Sequence, residues 1–500
     1  MPPGRSASWR PSAAFHKLPT HGPCSTPSPT RRRATVTETP HYLGAVDVER
    51  LLEDHPIGRD FETLARTLSR DELFARQDRL FRRCVARAWR TGFYRRLWGA
   101  AGIEPGDIQG LEDIEQLPVF DKSDLMRSIE AHPPFGDFGG FQPDDPNRPP
   151  VVFHTTSGTT GQPQTLLFGP KSREAQNLLL ARAYRWQGLR AGDVAHSCYG
   201  HGTVNGGHYV REAFLHWTNA LFISAGTGLE TPSARQVRLM RDFGATVLVG
   251  FADYLKRLAE VAAAEGLTLG EDLRIRMISG HMSPEDKAAL ARLWGGPACY
   301  DWYGVGDTGI IAAEGPDRDG LYVMEDAHWL ELLDVDSSEP VVPGEPGDMV
   351  CTCLYKDDIY PILRFNTHDL SRERIDASPE PYVLRRIEGF LGRSDNMVKI
   401  KGINVFPHAI GPLLAQVPEF LGEFICRVTA QGSLTVVAEV RADDGDLSPR
   451  LRALLKNGLG IDVDVELAAR GATADLTEVE RRQKPIRLID ERTHADQRAR

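Results

Sequence analysis

Apolar side chains recur every three or four positions between residues 69 and 88, which predicts an amphipathic helix. Ser69 and Glu72 stand at the spacing of a capping box, in which each side chain binds the other residue's backbone N–H. The positions that follow this period are Leu73, Phe74, Gln77, Leu80, Phe81, Cys84, Val85 and Ala88.

From about residue 151, short β-branched runs alternate with helical stretches. The last helix carries clear start signals, with Ser283 at the N-cap and Pro284 in its first position. Alternation of this kind predicts an α/β architecture with substantial parallel sheet. The predicted strand and helix pairs are 151–153 with 174–187, 246–249 with 254–264, and 277–279 with 284–293.

After about residue 340 the chain changes to Pro/Gly turns and short strands such as 349–355. Beyond Gly402 a compact α+β pattern follows, with strands at 434–440 and 461–467 and a helix that begins at Ser448 and Pro449. We therefore predict a large N-terminal domain over 41–394 with mixed and parallel sheet, and a small mobile C-terminal domain over 395–500.

Charge is unevenly distributed along the 500 residues, although the composition is that of an ordinary globular protein. The formal net charge is −10. Residues 1–40 carry six basic side chains and one acidic one, so the rest is strongly acidic. An acidic body is a poor match for nucleic acid or anionic membrane, and we expect small-molecule partners instead.

Residues 1–40 contain eight prolines and no continuous apolar run. This composition predicts a disordered leader, or a start codon placed too far upstream, and it loosely resembles an organellar transit peptide. No stretch of about 20 apolar residues could span a bilayer. We expect a cytoplasmic protein, present as a monomer or homodimer.

A run of hydroxyl residues and glycines follows the first predicted strand. Glycines let a backbone approach a phosphate closely, and successive N–H groups and hydroxyls donate to its oxygens. The Walker pattern is absent, and the residue types alone fit either a solvated turn or a phosphate-binding loop. The candidate residues are Thr156, Ser157, Gly158, Thr159, Thr160 and Gly161.

This run resembles the phosphate loop of the adenylate-forming superfamily, which contains acyl- and aryl-CoA ligases and luciferase. Four further segments stand in that superfamily's order, and the resemblance as a whole covers about residues 65–492. The segments at 402–407 and 484–490 are most similar to the phenylacetate-CoA ligase branch. The four segments are Tyr-Gly-Val-Gly-Asp at 303–307, Arg-Phe-Asn-Thr-His-Asp at 364–369, the hinge motif at 392–407, and Lys-Pro-Ile-Arg-Leu-Ile-Asp at 484–490.

The resemblance implies a role for each matching residue. The loop would hold the ATP phosphates, Tyr303 would stack on adenine with Gly280 along its other face or edge, and Gly304 would also bind the nucleotide. Asp369 would accept the ribose hydroxyls, and Arg393 would contact ribose or phosphate. The remaining roles are the hinge at Asp395, the catalytic lysine at Lys484, and a CoA channel beside Gly402, Ile403 and Asn404.

The implied reaction is ATP-dependent formation of an acyl-adenylate, followed by transfer of the acyl group to coenzyme A with release of AMP. Mg²⁺ and a lysine suit this chemistry because two anions must meet. Two alternatives stay open: an adenylating enzyme that serves a carrier protein or another acceptor, and a nucleotide-binding pseudoenzyme.

Two positions depart from the superfamily pattern, where Thr/Ser and Glu are replaced by Gly306 and Asp307. Gly306 lacks a hydroxyl for phosphate, whereas Asp307 keeps a carboxylate for Mg²⁺ on a shorter side chain. Members of the phenylacetate-CoA ligase branch often carry a cysteine cluster near residues 379–391. Because this stretch contains no cysteine here, we predict no structural zinc. Cys351 and Cys353 are expected to pack rather than ligate a metal.

The acyl pocket is expected to draw on the segment before Tyr303 and on the histidine-rich stretch around residue 200. Aromatic residues there indicate a small flat acid such as benzoate, phenylacetate or furoate. His208, beside Tyr209, is predicted to line the acyl or thiol tunnel and to serve catalysis. The predicted pocket residues are Tyr199, Tyr209, Phe251 and Trp302.

Overall fold

The computed structural model describes most of the chain, and the predicted leader lies outside the described residues. The described ranges are 41–156, 164–395, 398–400, 403–405, 407, 410–429, 432–441, 447–477 and 486–492. No helix in these ranges is both long and apolar enough to cross a membrane.

Five helices open the described chain. The third begins with the predicted capping box, since Ser69 Oγ accepts from the Glu72 N–H at 3.2 Å and the Glu72 carboxylate accepts from the Ser69 N–H at 2.9 Å. Its buried face carries the predicted apolar positions except Phe74, which is only partly buried, so this prediction is confirmed. The helices are α1 Val48–Asp54, α2 Arg59–Thr67, α3 Arg70–Ala88, α4 Gly92–Ala100 and α5 Lys122–Ala131.

A short antiparallel hairpin and a long buried helix come next. The hairpin consists of β1 Val152–Thr155 and β2 Thr165–Phe168. The first predicted strand therefore exists but pairs with an unpredicted neighbour rather than joining the parallel sheet. The helix is α6 Pro170–Trp186, nearly all of it buried.

Parallel strands and helices then alternate as predicted, which confirms the α/β class. Strands β3, β4, β5, β6 and β7 pair in parallel. The elements are β3 Val194–Ser197, α7 Asn205–Trp217, β4 Leu221–Ser224, α8 Ser233–Asp242, β5 Val247–Val249, α9 Ala252–Ala264, β6 Met277–Gly280, α10 Pro284–Leu293 and β7 Ala298–Val305.

Antiparallel strands complete this part. Two of them, with a short third, extend the parallel sheet to eight strands in the order β13-β9-β8-β7-β6-β5-β3-β4, and four others form a sheet in the order β10-β11-β12-β14. The strands are β8 Gly309–Glu314, β9 Leu321–Val323, β10 His328–Leu333, β11 Pro346–Cys353, β12 Phe365–Arg372, β13 Arg386–Ile387 and β14 Gly392–Arg393.

The C-terminal part has its own apolar cluster, formed by described residues from Ile400 to Leu488. Its four-stranded sheet has the order β19-β18-β17-β20. The predicted strand 434–440 is confirmed, whereas the one predicted at 461–467 begins at Asp464. The elements are β15 Val398–Ile400, β16 Ile403–Val405, α11 Ile410–Leu414, β17 Phe420–Val428, β18 Leu434–Val440, α12 Leu447–Leu459, β19 Asp464–Ala468, α13 Ala474–Thr477 and β20 Leu488–Asp490.

Candidate active site

The candidate site lies where the eight-stranded sheet changes from parallel to antiparallel pairing. β7 pairs in parallel with β6 and antiparallel with β8. Ligand crevices in open α/β sheets form at the carboxyl ends of parallel strands. Gly280 ends β6, and Tyr303 and Gly304 lie near the end of β7, beside a β-bulge. The sheet thus brings these three predicted residues to one edge.

Gly280 allows a close approach of two loops at this edge. A Cβ atom at this position would lie 2.0 Å from the carbonyl oxygen of Gly250, which follows β5. Backbone atoms cannot yield as a flexible side chain can, so a larger residue would push the two strand ends apart.

Tyr303, Asp369 and Arg393, predicted from three separate motifs, meet in one network. The buried Tyr303 hydroxyl donates to Asp369 Oδ2 at 2.9 Å. Arg393 lies opposite Asp369 in the register of β12 and β14, and its Nη1 donates to Asp369 Oδ1 at 2.9 Å. The same guanidinium donates to both carboxylate oxygens of Asp395, from Nε at 2.7 Å and Nη2 at 2.6 Å. The predicted hinge residue is therefore tied to the predicted nucleotide site.

The electrostatics of this network follow from its burial. Burial raises the pKa of Tyr303 well above its ordinary value, and the neighbouring Asp369 carboxylate raises it further. Burial alone would lower the pKa of Arg393, but the hydrogen bond to Asp395 and the charge of Asp369 outweigh it and raise the pKa. The network therefore holds a neutral phenol and a charged guanidinium at neutral pH.

Asp307 sits in the turn between β7 and β8 and is only 5% exposed. Its Oδ1 accepts hydrogen bonds from Gln164 Nε2 at 2.6 Å and from the Tyr360 hydroxyl at 2.7 Å. Burial raises the pKa of this carboxyl despite the hydrogen bond from Tyr360. Across the described ranges no lysine or arginine forms a direct ion pair with this carboxylate, although the charge of the nearby Lys356 lowers its pKa in part. A buried carboxylate with neutral donors fits a ligand for Mg²⁺, because the cation would neutralise its charge.

Lys356 is a neighbour of this turn that no motif predicted. Its fully buried ammonium donates to the backbone oxygen of Asp307 at 3.1 Å and lies 4.2 Å from the ring centroid of Tyr360. Burial lowers the pKa of Lys356 to about 8. It lies 49 residues from Asp307, so local sequence carried no signal for the contact.

The predicted phosphate loop is closed at its base by Thr156 and Gln164. The Thr156 N–H donates to the Gln164 carbonyl at 3.0 Å, and Thr156 Oγ1 accepts from the Gln164 N–H at 3.3 Å. Since Gln164 also reaches Asp307, the loop base and the β7–β8 turn are in direct contact. The other predicted loop residues lie outside the described part of the chain: Ser157, Gly158, Thr159, Thr160 and Gly161.

Four aromatic side chains form a wall beside Gly280. The Tyr199 and Phe251 rings are 5.0 Å apart, Phe251 stacks on His281 at 5.4 Å, and His281 lies 4.1 Å from Trp302. Three of the four were predicted pocket residues, and His281 was not. The nitrogen Nε1 of Trp302 is buried and makes no hydrogen bond to any described residue.

Tyr209 and His208 are placed differently. The Tyr209 hydroxyl donates to the Gln176 carbonyl and accepts from the Ile310 N–H, both at 3.1 Å, so it joins α6 to β8. The His208 ring stacks on His154 at 4.9 Å, and its Nε2 contacts the carbonyl of Gly202 at 3.0 Å. These contacts place His208 against β1 rather than in the Tyr303 network.

The predicted C-terminal functional residues are only partly described. Lys484 and Gly402 lie outside the described residues. For Ile403 and Asn404 the backbone is described, in a hairpin of β16 with β15.

Comparison with known proteins places the chain in one class. A phenylacetate-coenzyme A ligase of Thermus thermophilus is 30% identical over 383 residues, which cover 74% of this chain and 81% of the relative. One of Escherichia coli is 27% identical over 426 residues, 81% of this chain and 93% of the relative. No family model matches.

Solved structures agree. That of 2-hydroxyisobutyryl-CoA ligase with 2-HIB-AMP, in the postadenylation state, superposes with a TM-score of 0.75 and 25% identity over 87% of this chain and 94% of that one. The same ligase in the thioesterification state gives 0.62 with 26% identity, covering 88% of this chain and 94% of that one.

Fold and site together define an adenylate-forming carboxylate–CoA ligase, an AMP-forming enzyme that works through an acyl-adenylate. Within this class, the chain belongs to the phenylacetate-CoA ligase family.

Proposed function

We propose that the chain activates a small aromatic carboxylic acid with ATP and transfers the acyl group to coenzyme A, as predicted from the five motifs. The contact network of Tyr303, Asp369 and Arg393 carries the proposal. The network joins the Tyr303 ring, which would stack on adenine, to the Asp369 carboxylate, which would bind the ribose hydroxyls. Its third member, Arg393, would contact ribose or phosphate.

The phosphate side of the site would be formed by the loop that Thr156 and Gln164 close. The contact of Gln164 with Asp307 supports this arrangement, because it places the loop base beside the proposed Mg²⁺ ligand. The ion would neutralise negative charge on the phosphates when bound. Asp307 would hold it, and the loop amides and hydroxyls would orient the phosphate oxygens.

Lys484 is proposed to stand between the substrate carboxylate and the α-phosphate, where its ammonium would neutralise charge as two anions meet. After adenylation, rotation of residues 395–500 about Asp395 would remove Lys484 and admit the thiol beside Gly402, Ile403 and Asn404. The same 2-hydroxyisobutyryl-CoA ligase has been solved in a postadenylation and in a thioesterification state, which supports a two-position mechanism for this chain.

The acid would lie against the aromatic wall of Tyr199, Phe251, His281 and Trp302. Stacked rings favour a flat acid over a fatty acid. We further propose that the acid carries a ring heteroatom or hydroxyl, because the indole N–H of Trp302 lacks an acceptor among the described residues. A buried donor left unpaired discriminates strongly against a substrate that cannot accept from it.

Carboxylate-driven exchange between ATP and pyrophosphate tests this substrate class. We would compare matched acids, benzoate with 2-furoate and phenylacetate with pyridylacetate, and confirm CoA-dependent AMP release. We expect the heteroatom-bearing member to give the higher kcat/KM, and Trp302→Phe to reduce its advantage. Equal kcat/KM values within each pair would contradict the heteroatom proposal, and exchange only with aliphatic acids would contradict the aromatic one.

Replacement of the catalytic lysine tests the mechanism. Lys484→Ala should abolish pyrophosphate exchange yet leave thioester formation from supplied acyl-adenylate largely intact. Lys456→Ala is the matched control, since Lys456 is an exposed C-terminal lysine that pairs with Asp462. An equal loss of both half-reactions in Lys484→Ala would contradict the assigned role.

A further inference from the structure

A second chemically distinctive cluster lies in the sheet of β10, β11 and β12, away from the aromatic wall. His328 opens β10 directly opposite Cys353 in the antiparallel register, and Cys351 stands two residues earlier on β11. Residues two apart on a strand point to the same face. The pairing therefore brings one imidazole and two thiols to one face of the sheet.

The potential ligand atoms are close together and sealed from solvent. A ring nitrogen of His328 and the sulfurs of Cys351 and Cys353 all lie within 4.8 Å of one another, and all three side chains are 0% exposed. Ligand bonds of about 2.0 Å to nitrogen and 2.3 Å to sulfur place such atoms roughly 3.5–4 Å apart around one ion. Small side-chain rotations would close the remaining gap.

The histidine already has the hydrogen-bond arrangement of a metal ligand. His328 Nε2 lies 3.4 Å from the carbonyl oxygen of Thr308, whereas Nδ1 is buried and, among the described residues, has only the weakly donating thiol of Cys353 within reach. With the proton on Nε2, Nδ1 presents a lone pair. Metal-bound histidines usually donate their other N–H to a carbonyl or carboxylate in this way.

Packing alone explains the cysteines but leaves the histidine unexplained. Buried thiols behave as small apolar groups. A buried imidazole nitrogen, by contrast, costs free energy unless a good donor or an ion meets it, and a thiol such as that of Cys353 is a weak donor. The poorly satisfied nitrogen of His328 therefore favours a ligand between it and the two sulfurs.

We propose that His328, Cys351 and Cys353 bind one thiophilic cation, Zn²⁺ or Cu⁺, as a structural site. Two thiolates and an imidazole suit both ions by ligand type, and Zn²⁺ would take a fourth ligand to complete its tetrahedron. This proposal departs from the expectation from sequence that Cys351 and Cys353 only pack and that no structural zinc is present. The pattern was hidden because His328 lies 23 residues before Cys351 and only strand pairing joins them.

The cluster lies directly beneath the turn that presents Asp307. The Thr308 carbonyl beside His328 also accepts from the Tyr355 hydroxyl at 2.6 Å, and Lys356 holds the Asp307 carbonyl at 3.1 Å. A bound ion would fix His328 and, through Thr308, this turn. The proposed site would therefore position the turn that presents Asp307, and it is distinct from Asp307 itself, the proposed Mg²⁺ ligand.

The test is the metal content of the purified full-length chain from cultures supplemented with zinc or with copper, by plasma mass spectrometry. We expect about one equivalent per chain, lost in Cys351→Ala and Cys353→Ala but retained in Cys198→Ala. Cys198 is a matched buried free cysteine outside the cluster. The supplement that fills the site identifies the ion.

X-ray absorption on the wild-type protein decides the question where the variants fail to fold. We expect two sulfur scatterers near 2.3 Å and at least one nitrogen near 2.0 Å. The proposal is overturned if the wild-type chain holds neither metal after both supplements, if Cys351→Ala and Cys353→Ala retain it, or if the absorption spectrum lacks sulfur.

Discussion

The hydroxyl of Tyr303 donates a 2.9 Å hydrogen bond to the carboxylate of Asp369, across 66 residues of sequence. The Tyr303 side chain thus has two proposed parts in the site. Its ring would stack on adenine, and its hydroxyl orients the Asp369 carboxylate that would hold ribose. Hydrogen bonds to charged groups contribute about 1.5–3 kcal/mol.

Tyr303→Phe keeps the ring and removes this bond. We expect KM for ATP in pyrophosphate exchange to rise about tenfold, which corresponds to about 1.4 kcal/mol. Tyr322→Phe is the control, because that hydroxyl also binds a carboxylate, that of Asp317 at 2.6 Å, outside the Tyr303 network. An unchanged KM for ATP in Tyr303→Phe, or an equal rise in both variants, would contradict the proposed contribution of the Tyr303–Asp369 hydrogen bond to ATP binding.

Leu166 crowds the position at which Gly306 replaces a hydroxyl residue. A Cβ atom at residue 306 would lie 2.9 Å from Leu166 Cδ1, the end of a flexible side chain, so the superfamily's Thr or Ser would require Leu166 to move. We expect Gly306→Thr to lower the rate of pyrophosphate exchange and Leu166→Ala to restore part of that loss in the double variant. The four proteins form a double-mutant cycle. Additive effects would show that the two positions do not compete for space.

Sequence patterns predicted those parts of the fold that short-range chemistry determines. The capping box of Ser69 and Glu72 and the start of α10 at Ser283 and Pro284 appear as predicted, because caps depend on residues three positions apart. The pairing of β1 with β2 could not be predicted, because each strand has only four residues and is too short to show a period.

In the candidate site, too, some residues could be predicted from short sequence patterns and others only from the fold. Tyr303, Asp369 and Arg393 were found from motifs, and their contact adds only the geometry. Lys356 and His281 belong to no motif and reach the site through tertiary packing. Periodicity and composition describe neighbours along the chain, so side chains that meet from distant strands require the fold itself.

Arg182 and Asp326 form a fully buried ion pair whose loss should destabilise the chain. The guanidinium donates from Nη1 and Nη2 to the two carboxylate oxygens at 2.7 and 2.8 Å, and both side chains are 0% exposed. Removing one partner of a buried pair costs about 3–5 kcal/mol, whereas replacing both by apolar groups is often neutral.

We therefore expect Arg182→Met to lower the free energy of unfolding in urea by about 3–5 kcal/mol. The double variant Arg182→Met with Asp326→Leu should recover part of that loss, because it removes both charges but also takes the Asp326 partner from the buried His55. A double variant as unstable as Arg182→Met would mean that packing of the arginine, rather than the unpaired carboxylate, sets the cost.

His368 connects the strand that carries Asp369 to the N-cap of α5, and it should make stability depend on pH. Its Nε2 binds Asp121 Oδ2 at 2.9 Å, and its Nδ1 lies 3.7 Å from Asp348. Hydrogen bonds to Asp121 and Asp348 raise the pKa of His368 to about 9. The bond to His368 also holds the pKa of Asp121 below its usual range.

The sign follows from comparison with the unfolded chain, where histidine titrates near pH 6.5. Because the folded pKa is higher, the contribution of His368 is fully present below about pH 6.5 and is lost as pH rises to about 9. The contribution of Asp121, whose folded pKa is lowered, is present above about pH 4 and is lost on acidification.

We expect the stability difference between wild type and His368→Gln to be largest near pH 6 and to shrink steadily toward pH 9.5, measured by urea denaturation. His132→Gln, at a more exposed histidine 3.7 Å from Asp137, reports the background common to such variants. A difference between wild type and His368→Gln that stays constant across this range would mean that the imidazole stabilises the strand without its charge.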